Sequence, residues 1–163
     1  MSKQYCGALL GLTVLTLIIS IPCQAQERPI QLSLVTPIQL FPEDNSIKGV
    51  RINLIYGRNV SITGLDWGLV NHTTTGKSTG IQIGFVGLSD SDFMGLQYNA
   101  LNVTKGNVEG LQWGVLNYAH AMNGLQLGLV NYAQMMDGLQ IGLVNIIRQG
   151  GTFPVFPIVN WSF

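Results

Sequence analysis

GLQLGLVNYAQMMD (residues 124–137) runs directly into GLQIGLVNIIRQGG (residues 138–151), and their first eight positions differ only at Leu127 against Ile141. Two tandem copies this alike make self-similarity the feature to follow along the chain. Moving back, further units open at Gly110 (GLQWGVLN), Gly95 (GLQYNALN), Gly80 (GIQIGFVG), Gly64 (GLDWGLVN) and Gly49 (GVRINLIY), 14 to 16 residues apart. Pro29 opens the looser PIQLSLVT, and Phe153 opens FPVFPIVN, which keeps the terminal Val-Asn. About nine units, starting near 29, 49, 64, 80, 95, 110, 124, 138 and 153, therefore fill residues 26–163 as a single β-repeat domain.

Within each unit the side chains alternate with period 2, which specifies a strand with two different faces and an all-β fold. One face is apolar: Leu65, Trp67 and Leu69 in one unit, Leu125, Leu127 and Leu129 in another. The opposite face opens with Arg51, Asp66, Gln82, Gln97, Gln112, Gln126 and Gln140 in successive units. That row reads as a solvated or water-lined surface, because such side chains are seldom buried. Arg51 and Asp66 come from neighbouring units, where adjacent strands can pair them. The linking segments HTTTGKST, LSDSDFM, NVTKGNVE, YAHAMN and YAQMMD read as exposed turns.

Two architectures suit such a chain. The leading expectation is an up-and-down antiparallel β-barrel of 8–9 strands, one per unit, with the apolar face toward lipid and the Gln and Gly face inside. Val155, Pro157, Val159, Trp161 and Phe163 alternate up to a final aromatic, a pattern that resembles the closing strand of outer-membrane barrels. Against it, three apolar residues per strand span roughly 20 Å, short of the roughly 25 Å apolar band of such barrels, and an odd number of units is unusual for them. The alternative is a parallel β-solenoid, one coil per unit, with the apolar row as its core. Asn71, Asn102, Asn117, Asn131, Asn145 and Asn160 would then stack as a ladder. An open antiparallel sheet or sandwich is a third possibility.

Composition sets the address. Lys3 precedes an apolar run from Ala8 to Ile21, then Pro22, Cys23, Gln24 and Ala25, the plan of a secretory signal peptide over residues 1–25 cleaved after Ala25. About 14 apolar residues fall short of the roughly 20 that span a bilayer. Pro22 and Ser20 stand where a lipoprotein site at Cys23 needs a small residue and a leucine. Cys6 and Cys23 both lie in this segment, so the remainder carries no disulfide or thiol chemistry. Eight Lys and Arg balance eight Asp and Glu, which leaves no basic field to gather nucleic acid.

The GLQxGLVN units, the leading PIQLSLVT and the closing FPIVNWSF resemble the bacterial surface-repeat proteins that string GLQLGLxN units behind a signal peptide. The resemblance covers residues 29–163 and implies a surface or outer-membrane location with no established activity. Some members carry enzyme names such as polyester synthase, which a mature chain without the cysteine nucleophile contradicts.

Chemistry is sparse, and no catalytic residue, metal ligand or cofactor is assigned. His72 and His120 fall in expected turns. Ser89 or Ser91 can be written into a triad with His72 and Asp90, but no GxSxG elbow supports it. The triplet Asp90-Ser91-Asp92 lacks the further ligands of a calcium loop. Trp67, Trp113 and Tyr98 share the apolar face, as interfacial anchors or core rather than a carbohydrate platform. Asn59-Val60-Ser61 carries no weight as a glycosylation site in a bacterial setting. The expected protein is non-enzymatic, with a structural, adhesive or passive-conduit role and with outer-membrane lipid and the barrel-assembly machinery as partners. The alternatives are an exported β-solenoid binding or surface-layer module and, last, an outer-membrane lipid-modifying enzyme.

Overall fold

The computed structural model describes residues 27–163, so the expected signal peptide and both cysteines lie outside the described residues. Nine strands follow: β1 (Glu27–Val35), β2 (Ile38–Gln39), β3 (Ser46–Asn59), β4 (Ile62–Thr73), β5 (Ser78–Ser89), β6 (Phe93–Trp113), β7 (Leu116–Leu127), β8 (Val130–Gln149) and β9 (Val155–Ser162). From β1 through β3 to β8, neighbours pair in parallel and in repeat register: Gly64 lies beside Gly80, Gln82 beside Gln97, Asn117 beside Asn131 and Gly124 beside Gly138. This is a β-solenoid of about eight turns, not a barrel. An up-and-down barrel needs antiparallel neighbours, and the only antiparallel pairs among the described residues are β1–β2 and β8–β9, at the two ends.

The repeat-opening glycines show why units stack rather than meander. Gly110 and Gly124 have φ of 132° and 133°, a region L side chains avoid, and a Cβ on either would come within 2.2 Å of the carbonyl oxygen of the preceding unit's glycine. Glycine at that place lets one coil lie directly on the next. Identical residues are then brought to about 4.8 Å spacing along the axis.

Each coil has a long flank, a bend, a short flank and a rim. In the coil opened by Gly64, Leu65, Trp67 and Leu69 point out along the long flank, Leu69 and Val70 turn the bend, and Val70 and His72 point out from the short flank. The rim returns the chain through residues 74–77. Segments expected as turns are in part strand: NVTKGNVE belongs to β6, YAHAMN to β7 and YAQMMD to β8. They supply inward residues to the next coil, among them Val108, Ala119, Met122, Ala133 and Met136, which with Ile147 form a small apolar cluster.

Inside and outside are the reverse of the expected solenoid. The alternating apolar row is on the exterior, with Leu54 70%, Phe85 61% and Leu143 66% exposed, while Gln31, Gln82, Gln97, Gln112, Gln126 and Gln140 are fully buried. The Gln row is therefore interior, not a solvated surface. Its amides form one directed chain, each Nε2 donating to the preceding Oε1: Gln140 to Gln126 at 2.7 Å, Gln126 to Gln112 at 2.7 Å, Gln112 to Gln97 at 2.8 Å and Gln97 to Gln82 at 3.2 Å. The expected asparagine ladder forms beside it with donors pointing the other way, Asn102 to Asn117, Asn117 to Asn131 and Asn131 to Asn145, each at 2.8 Å. Two expected members are not part of it: Asn71 lies beside Gly87, which breaks the row, and accepts from Asn53 at 2.7 Å instead, and Asn160 lies opposite Gln140 on the antiparallel β9.

The Gln chain ends on a charge. Gln82 Nε2 donates to Asp66 Oδ2 at 3.0 Å, and Asp66 is held by Arg51 through Nε at 2.7 Å and Nη2 at 2.8 Å, both residues fully enclosed. The adjacent opposite charges do pair, but inside the coil rather than on its surface. At the far N-terminal end Gln31 exchanges two hydrogen bonds with the backbone of Phe41.

The ends are closed by the chain itself. The segment opening at Phe153 is no repeat coil but an antiparallel cap, and Trp161 N–H is taken by Asn160 Oδ1 while its carbonyl accepts from Thr152 N–H. Pro154 and Pro157 flank and interrupt that edge, which discourages further strands from adding.

Candidate functional site

The dominant surface feature is the apolar exterior. On the long flank, the row Ile52, Trp67, Ile83, Tyr98, Trp113 and Leu127 runs along the axis beside the row Leu54, Leu69, Phe85, Ala100, Val115 and Leu129. Between them lie shallow grooves floored by Gly68, Gly84, Gly114 and Gly128, the largest about 570 Å³, edged by Tyr98 and Trp113 packed edge to face at 5.2 Å. Every one of these alternating residues would be core in an ordinary sheet protein. Here amide ladders take the inward positions between these residues, so this branched and aromatic row is left outside.

With about eight coils at ~4.8 Å and about four residues at ~3.3 Å, the apolar part of the long flank covers on the order of 500 Å². The bend and the short flank, through Val86, Leu101, Leu116, Val130 and Val144, carry it around the ridge. Contiguous exposed apolar surface of this size marks a contact with a membrane, a partner or a ligand. Trp67, Trp113 and Tyr98 sit in the middle of it. The stacked pair Tyr118 and Tyr132, 5.1 Å apart, lies on the short flank next to the rim.

Charge is concentrated on the opposite side. Apart from the enclosed Arg51 and Asp66, the charged residues of the coils sit on the rim or, as Arg58 does, reach it: Lys48 pairs with Glu27, Arg58 with Glu43, Lys77 with Glu109 and Lys105 with Asp90. The bend and the outward long-flank rows carry no charge at all.

The polar residues singled out from the sequence meet only in part. His72 Nε2 lies 2.8 Å from Asp90 Oδ2, and His72 Nδ1 lies 2.8 Å from the Tyr56 hydroxyl. Lys105 Nζ, 2.7 Å from Asp90 Oδ1, completes a line across four consecutive coils. Lys105 holds the Asp90 carboxyl below its ordinary range, and the bond from His72 adds to this against the opposing effect of burial. Burial pushes the Tyr56 hydroxyl up. A phenol pushed up is a poorer nucleophile, so the line clamps coils together more readily than it activates an oxygen. Ser89, written into the triad, is buried and accepts from Thr73 and Gln97 instead. His120 lies three coils further along the rim. Asp92 accepts from the Asn107 backbone N–H at 2.8 Å, and Asp90 is taken by His72 and Lys105, so both carboxylates of the calcium-like triplet have protein partners.

Alternation alone could not show which face is inside, which is why the exterior escaped sequence reasoning. The usable signal was the glycine at the head of every unit from Gly49 to Gly138, an unbroken demand for one special backbone position. Comparison with known proteins returns nothing: no family model, no curated protein and no solved structure matches this chain.

Proposed function

We propose that the protein is an exported, non-enzymatic repeat module held at the outer membrane by its apolar exterior, with a structural or adhesive role. The observation that carries this reading is the inversion of the coil. Amide ladders and a small apolar cluster occupy the interior, while leucine, isoleucine, tryptophan and phenylalanine cover the long flank and the bend and continue onto the short flank, with charge gathered at and beside one rim. Water is a poor neighbour for such a surface, and a lipid bilayer is a good one. The signal-peptide plan at residues 1–25 supplies the route of export.

The passive-conduit role falls away with the barrel, since amides and small side chains fill the coil. Cell fractionation of a Gram-negative host expressing the full chain tests the proposal. The chain is expected in the outer-membrane fraction, retained through high-salt washing and released by detergent. Recovery as a free protein in the periplasmic extract would refute it.

A further inference from the structure

We infer that the solenoid enters the bilayer ridge first, its axis parallel to the membrane plane, and only to the depth of one leaflet. This rests on the membrane reading above and adds its geometry. From Leu65 to Leu69 the outward side of the long flank is uncharged over five residues, about 13 Å from end to end, close to half of the roughly 30 Å hydrocarbon core. Beyond Leu65 the chain reaches the rim, where Lys48, Lys77 and Glu109 need water.

The charge distribution therefore follows the cross-section of a leaflet: none on the bend or the outward long-flank rows, with the exposed charge on the opposite rim apart from Arg58, which stands beside His72 at the rim end of the short flank and reaches the rim through Glu43. Tyr118 and Tyr132 lie next to that rim, at the level where amphipathic rings favour the headgroup region. Backbone hydrogen bonding also permits immersion of the flank between the two ends, because coil-to-coil ladders occupy its amides.

A second copy of the chain fits less well. The apolar surface is convex and wraps a ridge, so one partner can cover only one flank. A partner seated on that flank would leave the bend and the other flank in water. Fluid acyl chains cover both flanks and the bend together.

The test is flotation of the purified protein with vesicles of phosphatidylethanolamine and phosphatidylglycerol, followed by depth measurement. Cysteine is absent after residue 25, so Leu129→Cys on the bend and Thr75→Cys on the rim each accept one environment-sensitive fluorophore. The expected result is flotation, a blue-shifted Leu129 label quenched several-fold more by bromines deep in the acyl chains than by bromines near the headgroups, and a Thr75 label that stays in water. Leu129→Glu should weaken vesicle partition on the order of a hundredfold, the effect of a charge placed in hydrocarbon, while Thr75→Glu leaves it unchanged. Flotation with the Leu129 label in water, or with that label reached by a quencher trapped in the vesicle lumen, overturns the ridge-first single-leaflet geometry while leaving membrane attachment standing. Absence of flotation together with a stable dimer in solution overturns both.

Discussion

Replacing Gln126 by leucine should destabilise the protein more than replacing Leu143 by serine, although ordinary intuition about buried and exposed residues says the reverse. Gln126 is fully buried and makes three hydrogen bonds: Nε2 to Gln112 Oε1 at 2.7 Å, Nε2 to the Tyr132 carbonyl at 3.2 Å, and Oε1 from Gln140 Nε2 at 2.7 Å. At about 1 kcal/mol net each, their loss amounts to about 3 kcal/mol, and stranding Gln112 Oε1 in the interior adds about 1–3 kcal/mol. Part is offset by the transfer free energy of the buried leucine, about 1.5–3 kcal/mol at most, leaving a cost of about 1–4.5 kcal/mol. Leu143 is 66% exposed, so serine there forfeits only about a third of a full burial, about 0.5–1 kcal/mol. Equilibrium urea unfolding in mild detergent, comparing midpoints at constant slope, measures both. Were the apolar rows the core, Leu143→Ser would cost about 2–5 kcal/mol and Gln126→Leu would be within about 0.5 kcal/mol of neutral. A larger midpoint shift for Leu143→Ser than for Gln126→Leu refutes the inverted interior.

Gly110→Ala forces a side chain into φ of 132° and against the Gly95 carbonyl, and should cost about 3 kcal/mol or more or prevent folding, read as loss of the β-type circular dichroism signal. Asp66→Gln alone leaves the enclosed Arg51 guanidinium uncompensated and should cost about 3–5 kcal/mol, whereas Arg51→Gln with Asp66→Gln continues the amide chain and should lie within about 1 kcal/mol of the parent by the same unfolding measurement. Asp90 has a folded pKa held below its ordinary value of 3.8 by Lys105 and then His72, so its contribution is present above that value and lost as pH falls through the lower folded value. Acid unfolding followed by fluorescence should therefore show a shallower loss in this range for Asp90→Asn than for the parent.

Much of the architecture was written in the spacing of the units. The all-β character, the repeat starts from Gly49 to Gly138, the Asn102 to Asn145 ladder and the adjacency of Arg51 and Asp66 all follow from reading one unit against the next. The direction of pairing did not, because a strand-and-turn unit of 14 to 16 residues suits a hairpin meander as well as a coil. The connecting segments misled for a related reason. YAHAMN and YAQMMD look like turns, yet Ala119, Met122, Ala133 and Met136 point inward from them. Of the network of Tyr56, His72, Asp90 and Lys105, the sequence offered only the pairing of His72 with Asp90, in a triad whose serine lies elsewhere; Tyr56 and Lys105 come from other coils and join only once those coils are stacked.

The choice of interior has a physical reason that generic hydrophobicity misses. In a parallel stack in register, every inward residue faces a copy of itself about 4.8 Å away along the axis. A glutamine or asparagine amide is self-complementary at that spacing, because it donates to one neighbour and accepts from the other, as in stacked amide ladders generally. A charge is not, since it would face its own sign. Inward charges are accordingly tolerated here as one adjacent opposite pair, Arg51 with Asp66, at the point where the Gln chain needs an acceptor. The Gln and Asn ladders donate in opposite directions, so their dipoles oppose rather than add. Once neighbouring coils are joined by amides and backbone ladders, the outward apolar rows are not needed for the core, which a small cluster around Val108, Met122 and Ile147 completes. Their concentration on the long flank and the bend then calls for an explanation outside the coil, and the proposed attachment to a bilayer supplies one: an uncharged ridge in hydrocarbon with the charged rim in water.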